Sequence, residues 1–304
     1  MTIARRSSRR TLVVALIVSA LLWSLAGTAV LATDTLGLGT RFDHLVDRVM
    51  LALDPPPDRE IAPLVEVTAV GPLDPDVVGE GGDIDGPATP KPRRKPVDVK
   101  LAANPARIFA SQHTVDWCSP AGIQIVLAMH GVVGNSVAEQ KKIADSVGRF
   151  ESWRDSHNGD WGPAAIAEAL AANGVKGYEV RAYGSQKLAL RDAAMALSQT
   201  RAPVILIAWR GAHTWVMTGY RADADPTVFR NSTISGTYIY DPWYPRVSTI
   251  WGASDSPGTF QDAAEMERNY LRWDRPEGEY LERDGKFLAV VPTIPLRDQP
   301  SGGA

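Results

Sequence analysis

The run Trp117-Cys118-Ser119-Pro120-Ala121-Gly122-Ile123-Gln124-Ile125-Val126-Leu127-Ala128-Met129-His130-Gly131 decides the fold. Proline is favoured in a first helical turn and glycine just past a helix end, so Ser119-Pro120 opens a helix that Gly131 closes. Ala121 to Met129 is apolar nearly all round, with Gln124 the exception, and such a helix belongs in the core. The chain's single cysteine, Cys118, stands at its start. There the positive end of the helix favours thiolate over thiol. Most lone cysteines are small buried hydrophobes, and from this residue alone that alternative stays open.

Working outward, helices are expected at 137–147, at 163–172 (closed by Asn173-Gly174) and at 186–199. Strands follow at 203–209, 212–220, 237–240 and 286–291, the first two joined by an Arg210-Gly211 turn. Helices first and an antiparallel sheet afterwards indicate α+β rather than a wound parallel sheet. Eight of the nine tryptophans fall in this region, taken as one domain over 105–296.

The N-terminus has a different character. Arg5, Arg6, Arg9 and Arg10 precede 22 uncharged, mostly apolar residues, Thr11 to Ala32. At ~1.5 Å per residue such a run spans about 30 Å of hydrocarbon. Residues 1–32 therefore read either as an uncleaved signal-anchor or as a signal peptide cut after Val30-Leu31-Ala32. In either case the arginines stay inside and the body lies outside the cytoplasm, anchored to the membrane or secreted. A short amphipathic helix is expected at 40–54. Eleven of the 22 prolines lie between Pro55 and Pro105, among acids, glycines and the cluster Lys91, Arg93, Arg94, Lys95. Residues 33–104 are accordingly expected to form a short helix and an extended solvated tether, whose removal leaves the domain folded. Residues 297–304 read as a disordered tail.

Composition narrows the chemistry. The net charge of −3 carries no basic excess for nucleic acid. One cysteine excludes an intramolecular disulfide and a cysteine-based zinc or iron–sulfur site. The sequence lacks GxxxxGK followed by Ser or Thr, and it lacks HExxH, so neither nucleotide nor zinc-peptidase chemistry is indicated. A thiol nucleophile remains, and it needs a base. His213 opens the strand Ala212–Tyr220, with Trp215, Met217 and Gly219 on its face. His130 sits about 18 Å away at the far end of the helix that Cys118 begins. His44 precedes the tether, His157 lies in a polar loop, and His113 neighbours Gln112. Asp241 follows the strand Tyr238-Ile239-Tyr240 and precedes Pro242, from where its carboxylate can orient the imidazole. Gln112, six residues before Cys118, can offer its side-chain amide to a tetrahedral oxyanion.

As a set, Gln112, Asp116-Trp117-Cys118-Ser119-Pro120, Gly211-Ala212-His213-Thr214-Trp215 and Tyr240-Asp241-Pro242-Trp243 resemble the papain-like cysteine peptidase superfamily. They resemble more closely its bacteriocin-processing, double-glycine-leader peptidases and their free-standing bacterial relatives. The resemblance covers roughly 105–250. It implies a papain-like fold with the nucleophile on a central helix, and catalytic Cys118, His213 and Asp241 with Gln112 in the oxyanion hole. It further implies hydrolysis of a peptide or amide substrate through an acyl-enzyme, with no metal or cofactor. That family usually has glycine where Ser119 stands. Two other classes of function remain in view: a binding module that keeps the fold without turnover, and a calcium-dependent binder using Asp155, Asn158 and Asp160.

Overall fold

A computed structural model of the chain describes residues 57–69, 92–101, 104–156, 160–275 and 280–295. The expected membrane segment 1–32, the helix at 40–54 and the tail at 297–304 lie outside the described residues. No helix among the described residues is long and apolar enough to cross a membrane.

The centre of the fold is an eight-stranded sheet. Along it run β1 (Leu64–Val67), β3 (Tyr178–Tyr183), β10 (Phe287–Pro292), β4 (Val204–Ala208), β5 (His213–Ala222), β6 (Ile234–Tyr240) and β9 (Thr259–Asp262), while β2 (Val97–Lys100) pairs with β5. The strands are antiparallel except β1, which runs parallel to β3. The sheet is thus mixed, not the antiparallel C-terminal sheet expected from the order of elements. The last strand, β10, inserts between β3 and β4.

Both faces of this sheet are covered, and the strand sequences say why. On β10, Leu288 and Val290 join one apolar cluster, and Phe287, Ala289 and Val291 join another. A strand that is apolar at every position must be buried on both sides. One face packs α2 (Cys118–Met129), α3 (Val137–Ala144) and α4 (Pro163–Ala172). The opposite face packs α5 (Gln186–Thr200) and α6 (Ala263–Asn269). The short α1 (Pro105–Ile108) leads towards α2, and a small hairpin, β7 (Val247–Ser248) with β8 (Gly252–Ala253), follows β6.

The stretch expected to be a tether contributes to the core. β2 pairs Val97–Lys100 with Ala222–Gly219, along the edge of β5 that β4 leaves after Met217. Where the strands meet, a Cβ on Gly219 would lie 2.3 Å from the Val99 carbonyl oxygen, so only glycine fits. Leu101 is buried and continues the pairing through its N–H to the Thr218 carbonyl at 2.8 Å. Arg94, from the basic cluster, pairs with Asp223 at 2.9 Å and donates to Asn231. Prolines limited helix here but left two four-residue strands free to form. Deleting 57–104 is therefore expected to abolish cooperative unfolding. Leu101→Ala alone should cost about 2–4 kcal/mol, read as a shift in denaturant midpoint.

Candidate active site

Two elements bring their starting residues together. α2 crosses β5 so closely that a Cβ on Gly122 would lie 2.6 Å from Thr214 Cγ2. One turn earlier, Ser119 Oγ and Thr214 Oγ1 are hydrogen-bonded at 2.9 Å in the interior. Ser119 is thus spent on docking the helix to the strand. Cys118 is the first residue of α2 and half-buried, with Sγ 3.9 Å from Ser119 Oγ and 4.0 Å from the Ala212 carbonyl oxygen. His213 is the first residue of β5 and is buried.

Asp241 arrives from the neighbouring strand. Pairing of Val216 with Tyr240 sets the register of β5 against β6, and Asp241 follows directly. Its Oδ1 lies 2.6 Å from His213 Nε2 and accepts the Trp243 N–H at 2.8 Å, while Oδ2 accepts from Ser254 Oγ. The ring lies close enough to the Cys118 thiol for each group to shift the protonation of the other. With Nε2 on Asp241, Nδ1 is the nitrogen left for sulfur.

The electrostatics follow from those contacts. Burial pushes the Cys118 thiol up, but the His213 hydrogen bond and charge outweigh it, and the thiol ends below its ordinary value. Burial pushes His213 down, yet the Asp241 charge and hydrogen bond prevail and raise it to about 9. For Asp241, burial acts upward and is overcome by His213, Ser254 and the Trp243 N–H, which hold the carboxyl below its usual range. All three shifts act in the direction of thiolate, imidazolium and carboxylate, with the α2 N-terminus adding a positive end at sulfur.

Gln112 occupies the loop before α2 but spends its donors locally. Its Nε2 donates to the Thr114 carbonyl at 2.9 Å and the Val115 carbonyl at 2.7 Å, and its buried Oε1 has no partner among the described residues. Its backbone N–H reaches the Pro242 carbonyl at 2.8 Å, tying this loop to the segment after Asp241. A buried amide pair secures the same loop: Gln140 Nε2 donates to Gln124 Oε1 at 3.0 Å, and Gln140 Oε1 accepts the His113 N–H at 2.7 Å. Gln124, the polar exception within Ala121–Met129, thus anchors through Gln140 the loop that leads to the nucleophile.

The rival groups go elsewhere. His130 caps the far end of α2, where burial lowers it to about 4. His113 is exposed; His44, His157 and Asn158 lie outside the described residues. Asp155 does not serve as a calcium ligand: it accepts the Ala164 and Ala165 N–H groups at the start of α4 and pairs with Arg283 in the interior. Among the described residues there is no cluster of His, Cys, Asp or Glu able to hold a metal.

Sequence reasoning missed the residues that support the site. Ser254 lies in a loop with no local pattern to mark it. Trp209 stacks on the His213 ring with centroids 3.9 Å apart and planes at 19°. Its only signal in the sequence was its place four residues before the histidine.

The family model described as "Peptidase_C39 like family" matches residues 107–275. No curated protein matches the chain. Among solved structures, the crystal structure of a double glycine motif protease from an AMS/PCAT transporter in complex with the leader peptide is similar. The match covers 65% of this chain and 99% of that chain, at 16% identity and a TM-score of 0.31.

Proposed function

Since this chain belongs to the Peptidase_C39 like family, we propose that it is a cysteine peptidase or amidase whose Cys118, His213 and Asp241 form the catalytic triad of a papain-like domain. The observation that carries this reading is the convergence of three element ends: Cys118 opening α2, His213 opening β5 and Asp241 directly after β6, with His213 hydrogen-bonded to Asp241 and electrostatically coupled to Cys118. In the reaction the Cys118 thiolate attacks the substrate carbonyl, forming a C–S bond and an oxyanion. The oxyanion sits where the α2 N-terminal amides point, the Cys118 N–H among them. His213 then passes its proton to the leaving amine as the C–N bond breaks, giving a thioester. Water, deprotonated by His213, hydrolyses the thioester and restores the thiolate. Asp241 holds the ring by Nε2 throughout.

Gln112 is the second oxyanion donor in this reading, which requires it to release Thr114 or Val115 when the tetrahedral intermediate forms. Gln112→Ala should then lower kcat by roughly ten- to a thousandfold with KM nearly unchanged. A loss of stability with kcat intact would make Gln112 a loop-former only. The domain acts outside the cytoplasm, a reading supported by the arginine-flanked apolar run Thr11–Ala32.

A second reading, a binding module without turnover, is favoured by one observation: both Gln112 amide protons are occupied. Labelling decides between them. A peptide carrying a thiol-directed warhead should modify Cys118 in the full chain faster than a simple maleimide of equal reactivity does. Equal rates, with no cleavage of a mixed peptide library, would leave the binding module standing.

A further inference from the structure

The turn before His213 is built at a conformational cost that packing alone does not explain. Trp209, Arg210 and Gly211 have φ of 50°, 60° and 96°, three successive left-handed residues of which two carry side chains. Non-glycine residues avoid this region, and it persists where surrounding structure over-determines it. At Gly211 a Cβ would lie 2.7 Å from Trp273, so this residue cannot relieve the turn by exchanging its place with a larger one. The turn lays the Trp209 indole face to face on the His213 imidazole.

The indole is held from its other sides as well. Its Nε1 donates to Asn269 Oδ1 at 3.0 Å in the interior, and Asn269 Nδ2 donates to the Glu265 carbonyl within α6 at 3.1 Å. Trp251 stacks on Trp209 with ring centroids 5.8 Å apart and planes at 7°, and Trp243 stands edge-on to both Trp209 and His213. A filler of the same volume needs neither the hydrogen bond nor the left-handed backbone. An imidazolium, by contrast, gains from an indole face, whose quadrupole presents negative charge to a cation.

We propose that Trp209 is a positioning residue for the hydrolysis proposed above: it fixes the His213 ring against Cys118 and stabilises the ring's positive charge through its indole face. The inference rests on that reading of the site. The titratable groups facing the ring are Cys118 from α2 and Asp241 from the end of β6. Asp255 and Glu265 line, with Trp209 and Asp241, a small cavity behind the carboxylate, and the Arg210–Asp274 pair lies outside the turn.

The test uses the full chain as wild type, Trp209→Phe and Trp209→Leu, and reads the alkylation rate of Cys118 by iodoacetamide against pH. Phenylalanine keeps an aromatic face and loses the Asn269 bond; leucine keeps apolar bulk and loses both. Trp209→Phe should stay within about threefold of wild type at all pH values, because the face that carries the effect remains. Trp209→Leu should lose about tenfold at about pH 6 and nothing at about pH 9.5, where the thiolate forms without help. If Trp209→Leu and Trp209→Phe both match wild type, or fall equally at both pH values, Trp209 only fills space and the proposal is wrong. Should Trp209→Leu not fold, Asn269→Ala frees the anchor while leaving the ring. A two- to threefold acid-side loss is then expected, and an unchanged profile overturns the proposal. If wild type itself shows no acid-side reactivity, the hydrolase reading fails first, an outcome visible before any variant is compared.

Discussion

Cys118→Ala is expected to abolish hydrolysis, by at least ~10⁴-fold on any substrate the wild type cleaves, while the thermal midpoint moves by no more than a few degrees. The two halves of this expectation come from different links of the argument. For chemistry, the sulfur is the one group at the start of α2 that can form the acyl bond, and neither His213 nor Asp241 can replace it. For stability, the side chain makes few close contacts: Sγ has neighbours at 3.9 and 4.0 Å, distances typical of weak sulfur hydrogen bonds. The helix is held instead by residues further along, Ile123, Ile125, Val126 and Leu127, which are fully buried. Ser119, by its bond to Thr214, fixes the helix start without help from the thiol. Cys118→Ser should also be inactive, since a hydroxyl opposite a ring held in its protonated form has no base to activate it. The measurement pairs turnover with a melting curve on the same preparations. Wild-type turnover by a folded Cys118→Ala protein would sink the hydrolase reading, and a large drop in melting temperature would show that the cysteine is structural.

How much of this was legible beforehand depends on the range of the interaction that carries each feature. α2 was readable to within a residue because its signals are local: a proline in the first turn, an unbroken apolar run, and Gly131 at φ 73° just past the end. α4 and β4 were readable for the same reason. β1 and β2 were not. Val97-Asp98-Val99-Lys100 alternates correctly, but four residues among prolines give too short a period-two signal. Only pairing with the far half of β5 makes them a strand. β3 was missed because Glu179 and Arg181 break up its apolar residues; Arg181 bonds Glu179 and the buried Asp192, whose identity as a partner lies on α5. The place of β10 between β3 and β4 is a purely non-local fact. In the site, Cys118, His213 and Asp241 stood out because each sits at the end of an element with a clear boundary. The direction of the Gln112 amide did not, because it is set by two carbonyls in its own loop.

The second large effect concerns His213 and pH. In wild type, alkylation of Cys118 by iodoacetamide should persist down to about pH 5, where a free thiol titrating near ~8.5 is almost unreactive. His213→Ala should lose that acid-side reactivity while alkylation at about pH 9 survives. The signs follow from the contacts. Burial raises the thiol and His213 is the main influence that brings it down past its ordinary value, so without the ring burial is opposed only by the smaller effects of Ser119 and Thr214. The ring is raised to about 9, chiefly by Asp241 acting against burial. The ion pair therefore exists between the depressed value of the thiol and about 9. Its linkage to folding runs both ways. The His213 contribution is fully present below its unfolded value of ~6.5 and is lost as pH rises through about 9. The Cys118 contribution is fully present above its unfolded value and is lost as pH falls through the depressed one. Turnover should likewise fall on the alkaline side through about 9, as the proton destined for the leaving amine is lost. Asp241→Asn should be milder: it removes the charge that raises the ring but leaves an amide oxygen that can still accept from Nε2. The acid-side rate should therefore shrink without vanishing. Three alkylation profiles decide the matter. If wild type and His213→Ala share one midpoint near ~8.5, thiol and ring are not paired. The convergence of α2, β5 and β6 would then mark a binding surface and not a reaction centre.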